Sequence, residues 1–321
     1  MKNILTAAIF GIATLATSQY SLGQEVFPSR AITIILPFGP GSGSDIAARL
    51  VGQKLGEALR QPVLIDYKQG ATGSIAAEYV AKSKPDGYTI LLGTNSSHGA
   101  NPGLFKNLRY DPIKDFIPIN RLVINTSIVV TGREATFKTM QELLAHGRTN
   151  ELTLATGNTT GIVQGETLAR QVGWKKITRI PFRANPPALT EVLAGRVDFM
   201  FSDIAAASPF VSSGQLRALA VTSKQRSKVM PNLPTLEELG VKDYDISGWI
   251  SLFAPANTPL AVVEKLNIEL TKILQMPDVV ARFEGLGGET GPMTLPEIAK
   301  WVQGEVSTWT RLVKEAGIQP E

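Results

Sequence analysis

Cysteine is missing from all 321 residues, which removes disulfides, thiolate nucleophiles and sulfur-ligated metals together. Histidine is nearly missing: His98 and His146 stand alone, too few and too far apart to cluster around a metal. Charged residues make up 19% of the chain and almost cancel, to a net +4. Lys and Arg are scattered, with no run of like charge and no basic stripe interleaved with aromatics, so a nucleic-acid surface is not expected. Phosphate-binding and hydrolase signatures fail as well. Gly41 and Gly43 open a G-x-G pattern, but Ile46 stands where its third glycine belongs, and neither a P-loop lysine nor a G-x-S-x-G elbow is present. Short-period repeats and low-complexity segments are lacking too.

Long apolar runs are absent except at the start. Lys2 supplies a basic first region, Ile4 to Ala16 an apolar stretch, and Ser21 and Gly23 small side chains before Gln24. That order reads as an export signal cleaved between Gly23 and Gln24, with a second candidate cut after Ser18. The stretch is shorter than the roughly 20 apolar residues that span a bilayer. The expected location of the mature chain is the periplasm, and export without disulfides suits it.

The remainder alternates short β-branched runs with helical periodicity, the pattern of a parallel sheet flanked by helices, and does so twice. Ala31 to Leu36, Val63 to Tyr67 and Thr89 to Gly93 read as strands of a first series, with helices from about Ile46 to Leu59 and from Ser74 to Ser83. Leu152 to Thr156, Thr178 to Phe182, Val197 to Ser202 and Leu216 to Val221 form a second series. Phe116 to Thr131 is too long for one ordinary strand and is expected to cross between lobes; Trp249 to Pro255 leads back. Helices follow at Leu260 to Gln275, broken by Pro277, and at Pro296 to Ala316. The fold class expected is α/β, with two lobes joined by two crossing segments. Residues 26–123 plus 249–321 would form the first lobe and 124–248 the second.

Ligands of open α/β sheets bind beyond the carboxyl ends of the strands. That rule selects five segments: Pro37 to Asp45, Thr94 to His98, Thr156 to Gly161, Phe182 to Asn185, and Ser202 with Asp203. The candidate ligand-binding residues in them are Phe38, Gly39, Gly41, Ser42, Gly43, Ser44, Asp45, Asn95, Ser96, Ser97, His98, Thr156, Gly157, Asn158, Thr159, Thr160, Gly161, Phe182, Arg183 and Asp203. These loops are rich in Gly, Ser, Thr and Asn, so their donors are main-chain N–H groups and hydroxyls. Helix N-termini of this kind hold an anion without a full cation. Turn glycines and N-cap hydroxyls explain each loop separately about as well; five alike across two lobes favour a shared site. Phe38 and Phe182 are candidate apolar walls. Ser96 or Ser97 with His98 is formally a hydrolase pair, but a loop histidine that binds ligand or backbone is the stronger reading.

Several motifs taken together resemble the substrate-binding receptors of tripartite tricarboxylate transporters. They are Pro37-Phe38-x-Pro40-Gly41 with Asp45, Asp86-Gly87-Tyr88-Thr89, Asn95-Ser96-Ser97-His98, Asn101-Pro102, Pro181-Phe182-Arg183, Gly195-Arg196-Val197-Asp198 and Phe253-Ala254-Pro255. The likeness spans the mature chain. It implies a Venus-flytrap fold, no cofactor, no metal, a cleft for carboxylates with bridging waters, and docking on a two-component membrane permease. Carried over by position, Phe38 to Asp45, Asn95 to His98, Thr156 to Gly161, Phe182 and Asp203 match the family's cleft. Ser42, Ser44, Gln164 and Arg183-Ala184 depart from its usual residues, and Arg183 is a candidate for a bidentate carboxylate contact.

The expectation is therefore a monomeric periplasmic receptor, not an enzyme, for a small mono- or dicarboxylate, aromatic acids included. Two other classes compete with it. A signalling receptor would dock its closed form on a membrane sensor, and a serine hydrolase would depend on His98.

Overall fold

The structure, a computed structural model, describes residues 27–320; the expected signal and its cleavage point lie outside them. The first strands and helices are β1 (Ile32–Leu36), α1 (Gly43–Leu59), β2 (Val63–Tyr67), α2 (Ser74–Ala81) and β3 (Thr89–Thr94). A wide helical turn, Asn95–Ala100, then runs into the short α3 (Asn101–Leu104), and β4 (Phe116–Asn125) follows. The second series comprises β5 (Ser127–Gly132), α4 (Met140–Thr149), β6 (Glu151–Thr156), α5 (Thr159–Val172), β7 (Lys176–Pro181), α6 (Asn185–Leu193), β8 (Phe199–Asp203), α7 (Ile204–Ser212) and β9 (Leu216–Val221). The chain ends with β10 (Gly248–Pro255), α8 (Leu260–Leu274), α9 (Pro277–Glu284), β11 (Gly288–Glu289) and α10 (Leu295–Glu315).

Two sheets result, one of six strands in the order β11-β4-β10-β3-β1-β2 and one of five in the order β7-β6-β8-β5-β9. The molecule is thus α/β and two-lobed. Neither sheet is wholly parallel, as the periodicity had suggested. β1 runs parallel to β2 and β3, and β6 to β7 and β8, whereas β10 and β5 are antiparallel to their neighbours. The reason is topological. A strand of a βα unit runs toward the cleft, but β5 and β10 have just crossed from the other lobe, start at the cleft and run away from it.

The long stretch from Phe116 is two strands, β4 in one sheet and β5 in the other, with only Thr126 between them. Pro277 does not merely end α8; it opens α9 at a first-turn position, where its missing N–H costs nothing. The periodicity reading passed over α4, β11 and the turn-plus-α3 segment.

Each sheet is covered on both faces. In α1, Ala47, Ala48, Val51, Leu55 and Leu59 face β1 and β3 together with Leu266, Leu270 and Ile273 of α8. Fully burying such a side chain contributes about 1.5–3 kcal/mol. Ala76, Ala77 and Val80 of α2 and Ile298 and Val302 of α10 cover the opposite face. In the second lobe, Ala188, Leu189 and Val192 of α6 and Ala207 of α7 pack on one face, and Leu143, Val163 and Leu168 on the other. That last cluster also takes in Trp309 and Val313, so the end of α10 is buried with the second lobe.

Candidate functional site

The carboxyl ends of both sheets converge on one cavity of about 30 Å³. In the first lobe, the loop after β1 closes with Ser42 as N-cap of α1, its hydroxyl accepting from Asp45 N at 3.2 Å. Phe38, Ser42, Gly43 and Ser44 line the cavity from this loop. After β3, Thr94 caps the helical turn: its hydroxyl accepts from Ser96 N at 3.2 Å, and Ser97 Oγ accepts from Thr94 N at 3.1 Å. Thr94, Asn95 and Ser96 reach the cavity.

In the second lobe, Asn158 caps α5 by accepting from Gly161 N at 2.9 Å, while its Nδ2 donates to Asn185 Oδ1 at 3.3 Å. Asn185 opens α6 and donates from Nδ2 to Asp203 Oδ2 at 3.1 Å. Asn158, Thr160, Asn185 and Asp203 form this wall. Gly157 permits the convergence, since a Cβ there would meet the Ala184 carbonyl carbon at 2.4 Å.

The lobes touch across the cleft. Asn95 Nδ2 donates to Thr160 Oγ1, Thr159 Oγ1 donates to Asn101 Oδ1 at 3.1 Å, and Trp249 N donates to Asn95 Oδ1 at 3.2 Å. One side chain, Asn95, therefore joins the first-lobe loop, the crossing strand β10 and the second lobe. A cavity of this size has room for little more than an ordered water.

Of the twenty residues singled out from sequence, nine line the cavity: Phe38, Ser42, Gly43, Ser44, Asn95, Ser96, Asn158, Thr160 and Asp203. Others support it from behind. The Asp45 carboxylate accepts from Gly41 N at 2.9 Å, Arg49 Nε at 2.9 Å and Tyr67 OH at 2.6 Å, which rigidifies the loop that also carries Gly39. Thr156 and Gly161 end β6 and begin α5 beneath the wall.

Ser97 and His98 are fully buried. The His98 ring stacks on Phe253, centroids 3.9 Å apart, and meets Phe116 edge-on at 4.7 Å. Burial pushes its pKa down to about 3, so it is a neutral core residue. Ser97 Oγ is 3.0 Å from His98 Nδ1, but a pair sealed from the cavity has no substrate to act on. Phe182 packs against the second-lobe core, and Arg183 is exposed, away from the cavity.

Thr94 and Asn185 lay within the selected segments without being singled out, and the lining residues outside those segments are Asn125, Gly248, Trp249 and Ile250. This second group follows from the crossing segments. They sit where the crossing strands leave and re-enter the first lobe. The signal was available: a segment crossing between lobes must form the floor of the space between them. Among the described residues no group of His, Asp and Glu is placed to hold a metal ion.

A family model described as "Tripartite tricarboxylate transporter family receptor" matches residues 47–318. The chain belongs to this receptor family. Protein BugT of Bordetella pertussis is 30% identical over 322 residues, spanning 99% of this chain and 98% of BugT. Among solved structures, Rpa4515 of R. palustris with adipate superposes with a TM-score of 0.89 at 30% identity, covering 92% of this chain and 100% of that one. MatC (Rpa3494) from Rhodopseudomonas palustris with bound malate gives 0.83 at 31% identity, covering 89% of this chain and 100% of its own. Members of the receptor family are periplasmic solute-binding proteins rather than enzymes, and this receptor is one of them.

Proposed function

We propose that this receptor captures a small mono- or dicarboxylate between its lobes and delivers it to the two-component membrane permease of a tripartite tricarboxylate transporter. The observation that carries the reading is the make-up of the cavity wall. Helix starts from both lobes, amides and hydroxyls line it, and no Lys, Arg or His stands among the lining residues. Helix N-termini stabilise a carboxylate by about 0.3–1 kcal/mol each when exposed and by up to about 2 kcal/mol when partly buried. Closure removes water and strengthens every such contact. The adipate and malate named for two structural relatives support the same ligand class.

The lobes of the proposed receptor are residues 26–123 with 249–321 and residues 124–248, hinging where the chain crosses between the sheets. The cavity, about 30 Å³ as the lobes stand, has to widen to admit even a compact acid body against Phe38; an aromatic acid needs the lobes to part further. Export by a signal ending at Gly23 and a monomeric carrier complete the reading. Calorimetry against mono- and dicarboxylates, amino acids and aromatic acids tests it. At least one carboxylate is expected to bind well below millimolar, and no such binding by any of them overturns the reading.

A further inference from the structure

Among the described residues that line the cavity, the one ionisable side chain is an acid. Asp203 ends β8, and its Oδ2 accepts from Asn185 Nδ2 at 3.1 Å. The same oxygen lies against the first turn of α1 from the opposite lobe, where a Cβ on Gly43 would sit 3.1 Å from it. Among the described residues, no cation faces it from any packed element. β5 presents Ser127, α1 presents Gly43 and Ser44, α6 presents Asn185, and α7 continues as Ile204-Ala205-Ala206. Asp45 of α1 is engaged elsewhere, by Gly41, Arg49 and Tyr67. Burial raises the Asp203 carboxyl above its ordinary range, and the Asn185 hydrogen bond opposes this only in part.

A ligand carboxylate drawn to the α1 N-terminus arrives beside this acid in a space that water leaves on closure. Two ionised carboxylates in contact cannot both persist there, and one proton is shared between them. We propose that Asp203 takes up a proton from solvent as the cleft closes on a carboxylate, and donates it in a hydrogen bond to the ligand. No bond of the ligand breaks; the proton returns to solvent on release. This rests on the carboxylate reading above and makes Asp203 the residue that couples affinity to pH. In the open receptor Asp203 is hydrated and keeps the ordinary carboxylate value; in the closed complex it is higher. Between those two values binding consumes a proton, so affinity falls as pH rises, by up to about tenfold per unit.

Titration calorimetry on the mature receptor, with malate and adipate as probes from about pH 6 to about pH 8, tests this in buffers of small and large ionisation heat. If neither probe nor any other acid binds, the carboxylate reading itself has failed, not the proton coupling. With a binding acid, the expected result is net proton uptake on binding and affinity that drops as pH rises. Asp203→Asn, whose amide donates in place of the protonated acid, should bind the same probe without that uptake, with a flat pH profile and tighter than wild type at the alkaline end. Binding by wild type with no proton uptake and a flat profile overturns the proposal, as does a preference for amino acids that Asp203→Asn abolishes. Should Asp203→Asn not fold, the proton count on the wild-type receptor decides alone.

Discussion

On the cleft side of β10 the two lobes meet through amides and hydroxyls; on its rear side tryptophans of β10 and α10 pack together, and the last of them, Trp309, is buried with the second-lobe core. In front, Asn95 links Thr160 and Trp249, and Thr159 meets Asn101. Behind, Trp249 Nε1 and Trp309 Nε1 both donate to Glu305 Oε2, at 2.7 and 3.1 Å. Trp301 packs edge-on against Trp249 at 5.0 Å, with the Arg121 guanidinium 5.2 Å from its centroid. A hydrogen bond contributes about 0.5–1.5 kcal/mol net and re-forms with water on opening. Buried indoles lose several times more when separated. On these magnitudes the front is the side expected to part on opening, and the rear the side expected to stay shut.

Trp309→Ala challenges that division most severely. The ring is 2% exposed and belongs to the second-lobe core, so its loss should cost about 3–5 kcal/mol of stability, read as the midpoint of chemical denaturation. Unchanged stability would mean that the rear seam is not what holds the lobes. Asn95→Ala should do the opposite. Removal of both its links should weaken ligand affinity about ten- to hundredfold, roughly 1.4–2.7 kcal/mol, with a smaller loss of stability; an unaltered Kd would move the closing contact elsewhere. Glu305→Gln should have the smallest effect, below about 1 kcal/mol at neutral pH, because one amide oxygen still accepts from the indoles. Burial raises the Glu305 carboxyl despite both indole hydrogen bonds. The folded protein therefore holds that proton longer than the unfolded chain, and stability falls as pH rises from the ordinary carboxyl range to the raised value. Glu305→Gln should remove this slope, which denaturation series across pH would show.

The front was far more legible in the sequence than the rear. Ser42, Asn158 and Asp203 stand at strand-to-helix junctions, where local turn chemistry and the strand-end rule both point. Trp249, Trp301 and Trp309 carry no such mark. They occur in a strand and a helix whose apolar spacing reports only burial, and their convergence on Glu305 depends on how the last helix lies across both lobes. His98 shows the converse failure. Its loop suggested a cleft residue, but side chains two residues apart point to opposite sides of that wide helical turn, so Ser96 faces the cavity and His98 the core. Arg183 follows the strand end yet points outward, because α6 begins only at Asn185 and leaves it on the outer side of the turn. The α/β alternation survived intact; the antiparallel β5 and β10 did not show, since hydrophobic period reports a strand and not its direction.

The position of β10 between β3 and β4 governs the order of assembly. The six-stranded sheet lacks an interior strand until residue 248 and beyond are available, however early β1 to β4 emerge. Long-range pairing of this kind slows folding. The whole chain has to arrive before either lobe can lock, because the same C-terminal helix that completes one core also fills the other.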